Sequence, residues 1–424
     1  MYQFVLPILP MIKKIIILLF LFPAICFADG GPIQVHYNGP ITAAASGNNF
    51  THFSGSTGTS TTENIRQSIS PTSGTIKRLY VQVSAAPDNG AGTDTLTFAA
   101  RVAGASTAAT CTISEAETSC QWDGSVAYSA GGLMAVIQTA ANTPATPTWE
   151  AWWWTVDDTY GESMHLVSSS GTNLGTAAAN YLTPTPGGIN TTESSSAMPM
   201  PFAGTIEGSY CALSGDPANG AGVQSYTFAV VIGGSPSSNT FVIEEGTTTD
   251  NDTTNKPTFT AGQTITMSST PANTPTARTA KCGIVVSNTV GGFAILGKRD
   301  ANMGVASAEY RQLTGFAAWN ATETVVDQVS SQVQFKAYYN FLNGAPDNGA
   351  NTQSYTFVVR DDVAGTGCTC AVSEAETTCN DTCGDLVSAG SMVGNEQTPA
   401  NTPTARISAQ GIWALVRHRG YTTN

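Results

Sequence analysis

The chain is 424 residues long, too long for one ordinary domain, and 41% of it is hydrophobic while only 11% is charged. That balance, with Thr, Ser, Gly, Ala and Asn dominating the rest, favours short strands joined by loops, and no stretch carries a helical period. Thirty acidic residues against seventeen basic ones give a formal charge of −13, which repels phosphate backbones and sets nucleic acid aside as a partner.

The first predicted element is an export signal. Met11-Ile12-Lys13-Lys14 reads as the charged start, Ile15 to Leu21 as the apolar centre, and Ala28 as the small residue before the cut. Residues 1–10 then stand upstream of a start at Met11. Pro23 ends the apolar run short of the roughly 20 residues a membrane span needs, so no span is expected. Residues 1–28 are assigned to a cleaved signal peptide and the protein to the secreted or cell-surface class. Lipid attachment at Cys26 is the rival reading, disfavoured by Ile25 just before it.

Beyond the signal, one unit is read three times. Ala86-Pro87-Asp88-Asn89-Gly90-Ala91-Gly92 recurs as Asp216-Pro217-Ala218-Asn219-Gly220-Ala221-Gly222 and as Ala345-Pro346-Asp347-Asn348-Gly349-Ala350-Asn351. A second marker, Ala141-Asn142-Thr143-Pro144, recurs as Ala272-Asn273-Thr274-Pro275 and Ala400-Asn401-Thr402-Pro403. The two markers keep a nearly constant separation, so whole domains are duplicated. Thr62-Glu63, Thr192-Glu193 and Thr322-Glu323, with aromatics upstream at Phe50, Tyr181 and Tyr310, extend the likeness towards the N-terminus. Apolar stretches around Val35, Leu166 and Ile295 open the copies, which are set at 29–159, 160–290 and 291–424. No low-complexity linker separates them, so neighbours are expected to touch.

Within the first copy, Ile76 to Val83 alternates as a half-buried strand and Thr95 to Val102 is expected to return antiparallel after the Pro87 to Gly92 turn. Thr110 to Ile113 and Thr118 to Trp122 are expected to form a hairpin around Ser114-Glu115-Ala116-Glu117. Leu133 to Gln138 and Thr148 to Val156 supply two more strands, and the N-terminal third holds the rest. About eight strands per copy fit an all-β chain of three tandem β-sandwich, jelly-roll-like domains. The last strand of each copy does not alternate. Trp152-Trp153-Trp154, Gly283-Ile284-Val285-Val286 and Ile412-Trp413-Ala414-Leu415-Val416 are apolar on both sides, so the outward side chains need a cover. A neighbouring copy or a loop is one cover. An interaction surface at Trp152, Trp153, Trp154 and Trp413 is the other.

Without Cys26, eight cysteines remain, an even number suited to an oxidising compartment. Cys111 and Cys120 bracket the same stretch as Cys370 and Cys379, and Cys368 with Cys383 lies just outside as a second rung. Cys211 and Cys282 are left to pair. Their equivalents are Val81 with Ala151 and Asn340 with Gln410, which suggests one shared cross-strand contact. A metal site at 368–383 is the rival, weakened by the lack of a nearby histidine.

Little else carries chemistry. His36, His52, His165 and His418 sit in no metal-ligand or nucleophile spacing and read as strand surface. The acid pairs Glu115 with Glu117, Glu374 with Glu376 and Glu244-Glu245, like Asp88, Asp216 and Asp347, read as solvated turn residues. A weak Ca²⁺ site is their alternative, and no other cofactor is expected. Two acids in one turn cannot flank a glycosidic bond, and an enzyme is not expected.

Three stretches carry a family likeness: Ser73-Gly74-Thr75-Ile76-Lys77-Arg78-Leu79-Tyr80 with its echo Ala203-Gly204-Thr205-Ile206, Ser225-Tyr226-Thr227-Phe228 repeated as Ser354-Tyr355-Thr356-Phe357, and Asn273-Thr274-Pro275-Thr276-Ala277. Together they resemble a jelly-roll repeat of uncharacterised exported bacterial proteins and the C-terminal jelly rolls of collagen-like spore-surface glycoproteins. The resemblance covers the C-terminal two-thirds of each copy and implies a jelly roll, surface display and trimerisation. The chain departs from it in having three copies and no Gly-x-y tract. Three linked copies would stand in for three chains as a pseudo-threefold cluster, with Trp152 to Trp154 and Ile412 to Val416 at its seams. The expected function is a non-catalytic structural or adhesive surface protein whose partners are other protein surfaces or copies of itself. The alternatives are a carbohydrate-binding array, which brings glycans in as partners, and an extracellular filament subunit.

Overall fold

Along Gly74–Val83 the apolar side chains fall on every second position once a bulge beside Lys77 is allowed for, and Ile76, Leu79, Val81 and Val83 are buried. Gly204–Leu213 and Val333–Leu342 carry a bulge at the equivalent place. A computed structural model of the protein describes residues 33–416 apart from 54–57, 91, 161–162, 187, 221, 289, 299–300, 317–318, 324–326, 329–331, 350–351, 363 and 389–390. The export signal read at 1–28 and His418 lie outside these residues.

Six sheets fall into three pairs, one pair per copy. In copy 1 the main strands, counted first to eighth, are Ile33–Thr42, Asn48–His52, Gly74–Val83, Thr95–Val102, Ala105–Ser114, Ser119–Tyr128, Leu133–Ala141 and Thr148–Asp157. One sheet runs first-eighth-third-sixth, the other second-seventh-fourth-fifth. That is the order of a jelly roll. Copy 2 repeats it with Ser163–Ser169, Asn180–Leu182, Gly204–Leu213, Ser225–Ile232, Ser235–Glu244, Thr249–Asp252, Thr264–Ala272 and Ala280–Asn288. Copy 3 repeats it with Phe293–Lys298, Glu309–Arg311, Val333–Leu342, Ser354–Asp361, Ala364–Ser373, Thr378–Thr382, Met392–Ala400 and Ser408–Val416. These main strands pair antiparallel within each sheet, and a core of inward residues fills each sandwich.

Two local expectations differ from the structure. The strands flanking the Asn-Gly loop lie in opposite sheets, so the loop crosses the sandwich and closes no hairpin. The tight hairpin is the next one, where Ala103 and Gly104 turn with φ of 50° and 78° between paired strands four and five. The segment around Glu115 and Glu117 likewise joins strands of different sheets. Alternation tells which face of a strand is buried, and it is silent on which sheet the strand joins.

Candidate functional site at the copy junctions

The unusual eighth strands are where the copies meet. In copy 1, Trp149, Ala151 and Trp153 enter the core, which places Trp152 and Trp154 on the outer face of the sheet. Both are nevertheless buried, at 9% and 5% exposure. The guanidinium of Arg78 lies over the Trp154 ring, 4.4 Å from its centroid, and is itself paired with Asp123.

Strand register places Gly283 of copy 2 and Gly411 of copy 3 where copy 1 has Trp152, each opposite a tyrosine on the third strand: Tyr80, Tyr210 and Tyr339. Onto each glycine the preceding copy lays a short buried segment that follows its second strand. A Cβ on Gly283 would stand 2.8 Å from the ring of Pro71, and one on Gly411 would collide with the Pro199 carbonyl and stand 3.0 Å from Pro201. The tyrosines complete the contact. Tyr210 lies against Gly131 and Tyr339 against Gly262, both turn glycines at φ of 74° and 85°, where an added Cβ would stand 2.7 Å and 3.2 Å from the tyrosines. One head-to-tail contact thus joins copy 1 to copy 2 and copy 2 to copy 3.

The two junctions differ in chemistry. The second is apolar: Met198 and Met200 of copy 2 share one core with Leu296 and Ala409 of copy 3, and Ala294, Phe341 and Trp413 pack against it. Trp413 also donates its indole N–H to the Gly291 carbonyl at 3.0 Å.

The first junction is polar. Lys281 Nζ donates to Gln67 Oε1 across it at 3.0 Å. Thr72 and Ser163 donate to Asp157 Oδ2 at 2.7 and 2.9 Å, and His165 Nε2 lies 2.8 Å from the same oxygen. His165 Nε2 also lies 2.7 Å from Thr72 Oγ1, so both contacts fall on one ring nitrogen. A hydrolase relay needs the acid on one nitrogen and the hydroxyl on the other. With His165 and Asp157 side chains 3% and 0% exposed, the cluster is a buried latch between copies. Burial alone would raise the Asp157 carboxyl, but the bonds and charge of His165 and the donors Thr72 and Thr159 outweigh it and hold it well below the usual carboxylate range.

His52, at the end of the second strand, is buried beside this junction. Burial first, then the charges of Arg66 and Lys281, lower its imidazole from 6.5 to about 3. Its folded form is neutral while the unfolded chain takes a proton near 6.5, so stability is intact above that pH and drains away as the pH falls towards 3. At about 1.4 kcal/mol per unit, the loss by pH 4 is on the order of 3 kcal/mol. Asp157 adds to the loss only below the ordinary carboxylate range. Melting curves between pH 7 and pH 4 should therefore fall in the wild type and flatten in His52→Leu. Equal slopes in both would contradict this account.

All eight remaining cysteines stand in pairs at bonding distance. Cys111–Cys120 and Cys370–Cys379, each with Cα atoms 5.7 Å apart, tie the fifth strand in one sheet to the sixth in the other. Cys368–Cys383 forms a second rung, with Cα atoms 5.0 Å apart. Cys211 and Cys282 are direct cross-strand partners, as are Val81 with Ala151 and Asn340 with Gln410 at the same register. Copy 3 thus fills with amides the place copy 2 fills with a disulfide. Tyr338 donates to Asn395 at 3.1 Å, Asn395 bonds Gln410, and Gln410 donates to the Leu313 carbonyl at 2.9 Å. Arg311, buried against Trp319, adds a bond to Gln410 at 3.0 Å. The sequence shows the amide pair and gives no sign of the arginine.

The two sequence markers touch each other at one end of each sandwich. The side-chain amides of Asn142, Asn273 and Asn401 each donate 2.6 Å bonds to the Asn-Gly loop, at Thr93, Val223 and Thr352. In return Asn89, Asn219 and Asn348 bond the carbonyls of Thr143, Thr274 and Thr402. The turn acids bond backbone N–H groups of these loops and of the turns at 114–117, 244–247 and 373–376. Asp88 and Asp347 accept from the N–H of Gly90 and Gly349 at 2.6 Å, and Asp216 from Gly246. Glu117 and Glu376 accept from Ser114 and Ser373. Among the described residues no three His, Cys, Asp or Glu side chains are grouped to hold a metal, and no helix is long and apolar enough to cross a membrane. His36 pairs with Trp153 whereas His165 pairs with Val285, so the two histidines stand one register apart.

No protein-family model matches the chain, and no curated protein matches it.

Proposed function

We propose that the chain is an exported, non-catalytic structural or adhesive surface protein acting through its folded copies. The observation that carries this reading is the junction itself: one glycine-on-proline contact, used twice, fixes three sandwiches in a set relation. An array so built presents three like loop ends, locked by paired asparagines, to other protein surfaces or to copies of itself. Cysteine pairs in every copy suit an oxidising, extracellular setting. The exposed aromatics that would mark a carbohydrate-binding array are not met at Trp152 and Trp154, both under one-tenth exposed. Labelling intact expressing cells with antibody to the folded chain is the test. Surface or medium staining is expected, and a protein confined to the cytoplasm would overturn the reading. Purified protein should also leave a glycan array bare, with or without EDTA. Metal-dependent sugar binding would favour the carbohydrate alternative.

A further inference from the structure

A head-to-tail contact between like units propagates without limit unless an end is closed. Copy 1's receiving position and copy 3's donating segment differ from their counterparts at the two junctions. On the receiving side, the position that is Gly283 in copy 2 and Gly411 in copy 3 is Trp152 in copy 1, while the facing tyrosine is kept as Tyr80. Gly283 and Gly411 are bare because a proline segment lies on them, and even one methyl group there would come within 3.0 Å of its atoms. An indole at that position fills the space the segment would need. Trp152 is itself buried, at 9% exposure.

The donating side changes too. Ser68 pairs with Met134, Met198 with Ile265 and Asp327 with Val393, which puts the three segments in common register. From those anchors copy 1 reads Ser68-Ile69-Ser70-Pro71, copy 2 reads Met198-Pro199-Met200-Pro201 and copy 3 reads Asp327-Gln328-Val329-Ser330. Ile69, Met198 and Met200 are buried at 1%, 0% and 0%. In sequence, copy 3 carries an acid and an amide at the first two places and no proline, so it has less apolar surface to bury on docking than Met198-Pro199-Met200-Pro201.

We propose that residue 152 and its equivalents decide which copy receives another. Gly283 and Gly411 make the outer sheets of copies 2 and 3 receptors for a proline segment, and Trp152 closes the receptor on copy 1. Two chains therefore do not join through this contact, and the occupant an opened copy 1 takes is a proline segment restored to copy 3 of a second copy of the chain. This does not depend on the surface-protein reading, since it concerns assembly alone.

The test uses the full chain in four forms, weighed by sedimentation equilibrium: wild type, Trp152→Gly, a graft that replaces Asp327-Gln328-Val329-Ser330 with Met-Pro-Met-Pro, and the two changes together. The first three should remain single chains and the combined form should gain mass in whole-chain steps with concentration. A combined form that melts as the wild type does but stays single would overturn the proposal, as would a wild type that self-associates and loses this with the Tyr80→Ala change. Because Trp152→Gly removes a large side chain and copy 1 could fail to fold, the reciprocal variant Gly283→Trp reads the same receptor inside the chain. It should raise protease cleavage within residues 66–72 by on the order of tenfold, the equivalent of about 1.4 kcal/mol. Unchanged protection of that segment would equally overturn the proposal.

Discussion

Gly411→Ala should loosen copy 3 from copy 2 at a cost of about 2–3 kcal/mol, the upper part of the range for forcing extra atoms into a packed site. The new Cβ would collide with the Pro199 carbonyl and approach Pro201 to 3.0 Å. Backbone cannot rotate out of the way as a side chain can, so the whole Met198 to Pro201 segment must lift and strip cover from Met198, Met200 and Trp413. Gly283→Ala should cost less, because its neighbours are ring atoms of Pro71 at 2.8 to 3.1 Å. Gly384→Ala is the control: nothing lies within 4 Å of its added Cβ, and a change within about 0.5 kcal/mol is expected. Denaturant unfolding followed by tryptophan fluorescence would rank the three. Equal effects at 411 and 384 would count against the junction.

Replacing both Cys211 and Cys282 by alanine should be the most costly disulfide deletion. The bridge spans 71 residues, against 9 for Cys111–Cys120 and Cys370–Cys379 and 15 for Cys368–Cys383. By the chain-entropy argument the long loop is worth about 4.4 kcal/mol, the loop closed by Cys368–Cys383 about 3 and the two shortest about 2.7. Both sulfur-bearing residues are fully buried on the strands that carry the junction face, with Gly283 next to Cys282. Copy 2 should therefore unfold first in the double variant, and both its junctions should go with it. Unfolding that starts in copy 1 or copy 3 instead would contradict this ranking.

The triplicate pattern was readable because the two markers are locked together: Asn142 reaches Thr93 and Asn89 reaches Thr143, so neither loop can drift without the other. The all-β class and the strand count followed from alternation and turn residues. Strand pairing does not follow, since alternation assigns a face and no partner, and the turn expected to bring Thr95 to Val102 back antiparallel crosses between sheets. The apolar run at each eighth strand was visible, with its need for an outer cover. The cover was hidden because Pro71 and Gly283 are far apart in sequence, and a glycine inside an apolar strand looks like a weakness until a neighbouring backbone is found lying on it. Buried Arg311 was hidden for a similar reason, since its partners Ser408 and Gln410 arrive from the far end of copy 3.

A cysteine pair at Pro71→Cys and Gly283→Cys tests the shared junction most directly. The Pro71 Cβ lies 3.1 Å from where a Gly283 Cβ would stand, so a retreat of a few tenths of an ångström reaches the roughly 3.5–4.5 Å a disulfide spans. Peptide mapping of the oxidised full chain should recover residues 71 and 283 joined in one cross-linked pair. If both thiols instead remain free and reactive in a folded chain, copy 1 does not sit on copy 2 in this way and the head-to-tail account fails.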